Sequence, residues 1–235
     1  MVKCTTSVQG YPCTEVFCFG REIVFKRIRE EIAVIKERDP AATSSLEVML
    51  LYSGYKAVRA YRKANWFYRH NLPFLARFIS QRCVRRTNIE IHPGATIGKR
   101  LFIDHGTGVV VGETTEIGDD CTLYQGVTLG GTGKDKGKRH PTLGNHVMVG
   151  AGAKVLGPIH IGNNVKIAAG AVVLTDIPDD CTAVGVPARV VRRAGAKVEE
   201  LDQIHIPDPV AQEFCKLKVE IDRLQKEVNE LRETR

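Results

Sequence analysis

A six-residue repeat of branched apolar side chains occupies the middle of the chain, from Ile91 to about Val191. In its second half the repeat is unbroken, with members Leu143, Val149, Val155, Ile161, Ile167 and Val173. A second apolar series keeps the same step four positions later, through Val147, Ala153, Ile159, Val165, Ala171 and Ile177. A fixed internal period of this kind is typical of a solenoid, in which each repeat buries its apolar side by stacking on its neighbours.

The first half of the repeat has the same step but shifts once by two positions. Its members are Ile91, Ile97, Ile103 and Val109 before the shift, and Val111, Ile117, Leu123 and Leu129 after it. Six residues make a short strand and a corner, with Gly and Asn supplying the backbone angles that corners need. Three such units close a triangular coil, so the pattern predicts a parallel β-helix. The alternative, a β-sandwich, has strands and turns of variable length. The period does not determine the handedness of the coil.

Helical periodicity precedes the repeat, over residues 21–88. The first predicted helix starts near Arg21 and ends at Asp39-Pro40; its apolar face is Ile28, Ile32 and Ile35. The second follows a Ser44 or Ser45 cap and carries Val48, Leu51, Tyr55, Val58 and Tyr61. The third has Pro73 in its first turn and Phe74, Phe78 and Ile79 on its inner side. We expect a small α-helical cap that covers the open end of the coil, where free strand edges would invite aggregation.

The two ends of the chain differ from the rest. Residues 1–20 have no amphipathic period and are expected to be a disordered tail, with an organelle-targeting remnant as the alternative. Residues 193–235 are expected to hold a linker and a helix whose apolar residues follow heptad spacing. These are Val210, Phe214, Leu217, Ile221, Leu224, Val228 and Leu231. The spacing predicts a coiled coil, and a helix packed on its own domain is the alternative.

Composition and charge narrow the function classes. The net charge is +7, but the 34 Lys and Arg are mixed with 27 acidic residues and no RNA- or DNA-binding motif accompanies them. We therefore expect anionic ligands and no nucleic acid. No apolar run is long enough to predict a membrane span. The seven cysteines lack the paired spacing of zinc sites and suit a reducing cytosol, which predicts a cytoplasmic protein.

One insertion interrupts the repeat, at residues 130–142. Its sequence, GGTGKDKGKRHPT, is glycine-rich and basic and contains Arg139-His140-Pro141. A loop that interrupts a strict solenoid is more often functional than a tolerated surface insertion, which is the alternative here. The 130–142 loop is therefore a candidate part of a binding site.

Motifs spread along the repeat resemble those of serine O-acetyltransferase. They are Glu90-Ile91-His92-Pro93-Gly94-Ala95, Ile103-Asp104-His105-Gly106-Thr107-Gly108, Val111-Gly112-Glu113-Thr114, Gln125-Gly126-Val127-Thr128-Leu129-Gly130-Gly131-Thr132-Gly133, Arg139-His140-Pro141, Gly150-Ala151-Gly152-Ala153-Lys154 and Gly185-Val186-Pro187-Ala188-Arg189. The resemblance covers residues 29 to 191. It implies a mainly β fold, with a left-handed parallel β-helix of hexapeptide repeats over residues 89–192 as the catalytic domain. It also implies transfer of acetyl from acetyl-CoA to the hydroxyl of L-serine, the step before cysteine.

Acetylation of a hydroxyl needs a base, since serine is a poor nucleophile at neutral pH. Histidine suits this role because its ordinary pKa lies near working pH. By resemblance His105 is the base. Glu90 stands where much of the family has an aspartate that orients the ring, and 15 residues separate the two. A longer carboxylate in that place shifts the geometry of the pair.

The resemblance also implies how the two substrates are bound. Asp39 and Asp104 match positions that hold the serine ammonium, Arg139 matches a carboxylate clamp, and His140 matches a further serine contact. Acetyl-CoA is expected along a groove between adjacent prisms, lined by Gly131, Ala151 and Ala169. Lys166 and Arg189 are candidates for the CoA phosphates, argued from charge. No metal and no permanently bound cofactor is expected.

Assembly and partners follow from the same resemblance. We expect a homotrimer and feedback inhibition by cysteine. A complex with cysteine synthase is not expected, because the family inserts a C-terminal isoleucine and this chain ends at Arg235. Three alternatives stay open: another β-helix acyltransferase, a γ-type carbonic anhydrase with His105, His140 and His146 as metal ligands, and a non-catalytic scaffold.

Overall fold

The computed structural model describes residues 13–133, 136–191, 217–221 and 223–225, and only the backbone of residues 13–24. Four helices precede the strands: α1 (Cys13–Arg38), α2 (Ser45–Leu51), α3 (Ser53–Arg69) and α4 (Pro73–Thr87). Helix α1 begins eight residues before the predicted start at Arg21, so residues 13–20 of the predicted tail are helical. No proline lies between Pro12 and Pro40, and the single Gly20 is tolerated within a helix.

The second predicted helix is two helices, because the chain is extended at Tyr52. This residue has φ −72° and ψ 113° and separates α2 from α3. Helix α2 starts at a capping box, in which the Ser44 side chain accepts from the Glu47 N–H and the Glu47 side chain accepts from the Ser44 N–H. Of the two predicted caps, Ser44 is therefore the one used. The break at Tyr52 turns α3 across the end of the β-helix.

The inner face of α4 differs from the prediction. Phe74 and Phe78 are exposed, at 84% and 57%, and Ile79 is only partly buried. The buried residues of the helix are Ala76, Ser80 and Thr87. Small side chains on this face let α4 approach the first coil closely, and Ser80 Oγ donates to the Ile91 carbonyl at 2.9 Å. The prediction that Phe74 and Phe78 lie on the inner face of α4 is therefore wrong, because it relied on apolar character alone.

Fifteen short strands follow and form three sheets. The strands are β1 (Glu90–Ile91), β2 (Thr96–Ile97), β3 (Phe102–Ile103), β4 (Val110–Val111), β5 (Glu116–Ile117), β6 (Thr122–Leu123), β7 (Thr128–Gly130), β8 (Thr142–Leu143), β9 (Met148–Val149), β10 (Lys154–Leu156), β11 (His160–Ile161), β12 (Lys166–Ile167), β13 (Val172–Val173), β14 (Thr182–Val184) and β15 (Arg189–Val191). Sheet A is β1-β4-β7-β10-β13, sheet B is β2-β5-β8-β11, and sheet C is β3-β6-β9-β12-β14-β15. Each coil visits A, then B, then C, which confirms the predicted parallel β-helix.

The core is a set of stacked columns made by the predicted six-residue series. In sheet A, parallel register places Ile91, Val111, Leu129, Val155 and Val173 above one another, all of them buried. The first coil has 20 residues from Glu90 to Val110, and the following coil has 18 from Val110 to Thr128. The 130–142 loop lengthens the third to 26 residues. The two additional residues of the first coil and the loop are the two departures from the regular coil.

Helices α3 and α4 cover the first coil through polar contacts. Tyr61 Oη donates to the Ala95 carbonyl at 2.6 Å, and Arg62 Nη1 donates to the Ile97 carbonyl at 2.6 Å. Asn65 Nδ2 donates to the Pro93 carbonyl at 2.7 Å. These bonds satisfy backbone acceptors at an otherwise open end. At the other end of sheet C, β15 pairs antiparallel with β14.

The predicted coiled coil falls largely outside the described residues. Residues 217–221 and 223–225 are helical, and Leu217, Ile221 and Leu224 are exposed there. Within the part of the chain that the structure describes, no helix is both long and apolar enough to cross a membrane.

Candidate active site

One edge of the prism, where sheet C turns into sheet A, carries His105. Its successive corners are joined by backbone hydrogen bonds of 2.8 Å, from Gly126 N to Thr107 O, from Gly152 N to Gln125 O and from Gly170 N to Ala151 O. We call this corner line, residues 104–108, 125–126, 151–152 and 169–170, the His105 edge. It runs along the prism and places His105 above Ala151 and Ala169.

The corner that holds His105 contains the two additional residues of the first coil. Residues 104–108 turn outward there, with φ +54° at His105 and φ +82° at Gly106. A Cβ at Gly106 would lie 2.4 Å from the Ile89 side chain, so this close approach requires glycine. Histidine adopts this left-handed conformation more readily than most side chains, and His146 has nearly the same φ at another corner of the coil. The outward turn leaves the His105 side chain 74% exposed.

Two carboxylates lie beside His105. Asp104 Oδ1 is 4.0 Å from His105 Nε2. The pKa of Asp104 is raised, mainly by burial, and the lowering effect of His105 does not cancel this. Asp39 is close enough that its charge also raises the pKa of Asp104. Asp39 is fixed by two bonds, from Ala41 N to Oδ1 at 2.8 Å and from Tyr52 Oη to Oδ2 at 2.7 Å. The structure therefore brings the two predicted ammonium ligands together, and Tyr52 at the helix break holds one of them.

Glu90 begins β1 next to this edge. Its N–H donates to the Val109 carbonyl at 2.8 Å, which brings its backbone beside the corner of His105. Among the described residues no hydrogen bond joins the Glu90 carboxylate to His105. Their pairing as a catalytic dyad stays a prediction.

The edge where sheet A turns into sheet B carries a second cluster, built on Thr114. Thr114 Oγ1 accepts from the backbone N–H of Arg139 at 3.1 Å and of His140 at 3.2 Å. Lys138 Nζ donates to the Thr114 carbonyl at 2.8 Å and to Glu116 Oε1 at 2.9 Å. These bonds tie the end of the 130–142 loop to the preceding corner. We call residues 92–94, 112–116 and 138–140 the Arg139 edge.

His140 is held in one tautomer. Its Nδ1 accepts from Thr114 N at 3.2 Å and lies 2.9 Å from Thr114 Oγ1. A ring nitrogen that accepts a backbone N–H carries no proton, so the proton of the neutral ring is on Nε2. Burial lowers the pKa of His140, with a smaller contribution from Arg139. A Cβ at Gly112 would overlap the ring at 1.9 Å, so glycine there is what lets the ring pack down.

Arg139 is paired with a carboxylate of its own chain. Its Nη2 donates to Glu113 Oε2, and Tyr68 Oη donates to Glu113 Oε1 at 3.3 Å. The pKa of Glu113 is lowered, because the nearby His92 and Arg139 outweigh the effect of burial. The guanidinium therefore has a defined orientation before any ligand binds.

His92 is the first residue of the Arg139 edge and follows directly on β1. Its Nδ1 accepts from Gly94 N at 3.0 Å, and burial is the main cause of its lowered pKa. The charges of Glu90 and Glu113 both act on it. His92 is therefore a neutral ring between the carboxylate of one edge and the carboxylate of the other.

The predicted serine ligands are thus divided between two edges of one prism. Asp39, Asp104 and His105 lie where sheet A begins, and Arg139 and His140 lie where it ends. In the described residues no hydrogen bond or ion pair links the two groups. Residues 90–94, which cross the face between them, span roughly 13 Å at ~3.3 Å per residue. The two halves face different edges of the molecule.

Comparison with known proteins decides the family. Residues 140–175 match Hexapep, the bacterial transferase hexapeptide family of six repeats. The chain is 52% identical to the serine acetyltransferase of Synechococcus elongatus over 208 residues, which cover 88% of this chain and 85% of the relative. It belongs to the serine acetyltransferase family. The predicted family is thereby confirmed.

Solved structures of the family have the same fold. The serine acetyltransferase of Vibrio cholerae O1 biovar El Tor N16961 superposes with a TM-score of 0.74 at 40% identity, over 78% of this chain and 72% of that one. A serine acetyltransferase in complex with cysteine gives a TM-score of 0.71 at 41% identity, over 73% of this chain and 71% of that one. The predicted left-handed parallel β-helix is confirmed.

The residues predicted for acetyl-CoA in this serine acetyltransferase lie mostly on or near the His105 edge. Ala151 and Ala169 occupy successive corners of that edge, and Ala169 is exposed. Lys166 in β12 and Arg189 in β15 lie on sheet C, which leads into the edge. Gly131 is apart from them: it starts the 130–142 loop, and a Cβ there would lie 3.1 Å from the Arg139 carbonyl. Gly131 therefore lies beside the Arg139 edge.

Several residues of the site had no predicted role, among them Glu113, Thr114, Tyr52 and Tyr68. Glu113 and Thr114 lie within a motif of the resemblance, but their partners are set by the folded loop. Tyr52 and Tyr68 lie on helical segments, where the sequence pattern shows only apolar faces. The signal that would have found Tyr52 is its position at a helix break, and nothing in the pattern pointed to Tyr68.

Cys83, Cys121 and Cys181 are free thiols, and burial raises the pKa of Cys121 to about 11. Over the described ranges, no three His, Cys, Asp or Glu side chains are grouped as metal ligands.

Proposed function

We propose that this serine acetyltransferase builds each active site from two subunits of a homotrimer and uses His105 as its general base. The enzyme transfers acetyl from acetyl-CoA to the L-serine hydroxyl and releases O-acetyl-L-serine and CoA, the first step of cysteine biosynthesis. The reaction uses acetyl-CoA as a co-substrate and needs no permanently bound cofactor.

The chemical step follows from the position of His105. Its imidazole takes the proton of the serine hydroxyl as the serine oxygen attacks the thioester carbonyl carbon. The carbon–sulfur bond then breaks, and the proton passes from His105 to the sulfur of CoA. Glu90, at the start of β1, is the carboxylate proposed to orient the imidazole.

Serine is positioned by opposite charges at its two ends. Asp39 and Asp104 bind the ammonium, beside His105. Arg139 and His140 bind the carboxylate side: the guanidinium exchanges Glu113 for the substrate carboxylate, and His140 donates from Nε2. Because Glu113 already holds the Arg139 guanidinium in place, less conformational entropy is lost when this side chain binds the substrate.

Acetyl-CoA is proposed to lie along the His105 edge. Small residues at Ala151 and Ala169 allow the pantetheine arm to approach the backbone, and Lys166 and Arg189 attract the CoA phosphates. Gly131 lies at the base of the neighbouring loop, where it would contact the same ligand from the Arg139 edge of the adjacent subunit.

One observation supports the two-subunit site. The residues proposed to bind the serine ammonium lie where the strands of sheet A begin, and those proposed to bind its carboxylate lie where these strands end. A single chain offers the ammonium half at one edge and the carboxylate half at another. Triangular prisms packed about a three-fold axis bring the His105 edge of one subunit next to the Arg139 edge of a neighbour. The predicted coiled coil within 193–235 would add to the same three-fold contact.

Mixing two inactive variants tests this arrangement. His105→Ala and Arg139→Ala are each expected to be inactive, because every site lacks one half. Trimers reassembled from equal amounts of the two should regain about a quarter of wild-type activity. In about one site in four, an intact His105 of one subunit then meets an intact Arg139 of its neighbour. No recovery, with mixed trimers verified by mass, would place both halves in one chain and exclude the proposal.

The remaining assignments rest on the same site. Cysteine carries the same ammonium and carboxylate as serine, so we propose that it binds this site as a feedback inhibitor. We further propose a cytoplasmic enzyme that binds neither nucleic acid nor membranes. The linker and coiled-coil helix predicted for 193–235 are proposed to serve assembly.

A further inference from the structure

The helical cap holds an unusual concentration of positive charge. Between Val48 and Ile89 the sequence has nine Lys and Arg and no Asp or Glu, while the whole chain has a net charge of only +7. The segment covers α3 and α4 and most of α2. Some of its cations have structural roles, such as Arg62, which donates to backbone carbonyls of the first coil. Others do not.

Five of these cations line one groove of about 440 Å³ between α3 and α4. Lys56, Arg59 and Lys63 lie three and four residues apart on α3, and therefore on one helix face. Arg82 and Arg86 lie four residues apart on α4. The two rows face each other across the groove. None of the residues lining this α3–α4 groove is acidic.

The charges of the groove are largely uncompensated. In the described chain, no hydrogen bond or ion pair engages the side chain of Lys56, Lys63, Arg82 or Arg86. Arg59 differs from them in lying close enough to Glu31 for its charge to act on that carboxyl, whose pKa burial raises. Like charges held in two facing rows repel one another, and a bound anion removes this repulsion.

The floor of the groove is apolar. Met49, Tyr55, Ala60 and Ile79 line it together with Cys83. A volume of this size suits a small organic molecule, and an apolar floor favours one with an apolar or planar part. Three guanidinium groups at the rim fit phosphate oxygens in pairs, which a simple carboxylate uses less fully.

We propose that the α3–α4 groove binds an organic phosphate of mononucleotide size, with at least two negative charges over the cations and its apolar part on the floor. None of the groove residues belongs to the serine or acetyl-CoA sites. The ligand would link α3 to α4 on the cap, away from the reacting atoms.

Calorimetric titration with ADP tests the proposal, using two charge-matched double variants. Lys56→Gln/Arg86→Gln removes one groove cation from each helix. Arg69→Gln/Arg85→Gln removes one exposed cation from each helix outside the groove. We expect one ADP per chain in wild type and in the second variant, and at least about tenfold weaker binding in the first. Both variants should keep wild-type acetyl transfer, which shows that they are folded.

The chemistry of the ligand is tested with further probes. Tripolyphosphate should bind more weakly than ADP because it leaves the apolar floor empty, and inorganic phosphate more weakly still. Equal ADP binding by both variants would assign it to the acetyl-CoA site and overturn the proposal. Groove-dependent binding to phosphatidylglycerol vesicles without ADP binding would also overturn it, since the phosphate would then be a lipid headgroup.

Discussion

Thr114 fixes the imidazole of His140 through its Nδ1 atom, at 3.2 Å from the Thr114 backbone N–H and 2.9 Å from its hydroxyl oxygen. The same hydroxyl oxygen accepts the N–H groups of Arg139 and His140. One threonine therefore sets both the path of the loop and the side of the histidine that carries the proton. The donor that remains free on His140 is Nε2.

Replacing Thr114 tests this positioning role. Thr114→Val keeps the shape but loses the hydroxyl, so serine binding should weaken by roughly tenfold or more, through the lost hydrogen bonds. The KM for acetyl-CoA should change little. Thr114→Ser keeps the hydroxyl and should retain most of the affinity. Equal kinetics for the Val and Ser variants would show that the hydroxyl has no such role.

Replacing His105 tests the general base. His105→Ala should reduce turnover by about a hundredfold or more, because no other group takes the serine proton. Glu90→Gln should reduce turnover less, and Glu90→Asp should be close to neutral. Steady-state kinetics at saturating substrates measure all three. Near-normal turnover in His105→Ala would rule out the mechanism.

The charge-conserving change Arg139→Lys tests the carboxylate clamp. Lysine loses the paired hydrogen bonds of the guanidinium fork, so serine KM should rise by about tenfold or more while acetyl-CoA KM stays nearly constant. Inhibition by cysteine should weaken in parallel. A similar loss for both substrates would instead indicate that the 130–142 loop has lost its structure.

Serine affinity should depend on pH through His140. Burial lowers the pKa of His140 below the ordinary histidine value of about 6.5. At pH values above this lowered pKa, the ring is neutral and accepts from Thr114. As pH falls through the lowered pKa of His140, its Nδ1 becomes protonated. The Thr114 N–H and His140 Nδ1 are then both donors, so their hydrogen bond is lost, the ring is no longer held in place, and serine binding weakens. Calorimetry on His105→Ala removes the titration of the base itself. Adding His140→Gln should abolish this transition and leave that of Asp104.

Removing residues 205–235 tests the assembly. The deletion should loosen the trimer without abolishing activity, because the prism faces keep their contact. Solution mass measured over a dilution series should show dissociation at higher concentration than in the full chain. Six subunits at low concentration in the full chain would contradict a trimer.

The solenoid could be predicted because its rule is local. Each of Val149, Val155 and Ile161 is buried by the same step, so the period alone locates the core. The sequence also showed the slip of two residues between Val109 and Val111. It did not show that the additional residues lie in the 104–108 corner and turn His105 outward.

The helical cap and the contacts of the site were harder to predict, since they depend on groups distant in sequence. Ala76 and Ser80 face inward because the first coil leaves room only for small side chains there, and the pattern favoured Phe74 and Phe78. The bond from Tyr52 to Asp39 needs the helix break at Tyr52, which the following Ser53-Gly54 pair marks but the apolar pattern does not show. The division of the serine ligands between two edges follows from the order of the sheets within a coil.

The two closed ends of the β-helix limit how such a protein changes in evolution. Arg62, Tyr61 and Asn65 occupy the acceptors of the first coil, and the antiparallel β15 ends sheet C. Gain or loss of a repeat by duplication or deletion is therefore tolerated only between these ends. On the proposed binding mode, a coil inserted above Ala151 would also move the acetyl-CoA groove away from His105. The number of coils would then be a functional length, set by the reach of one acetyl-CoA molecule.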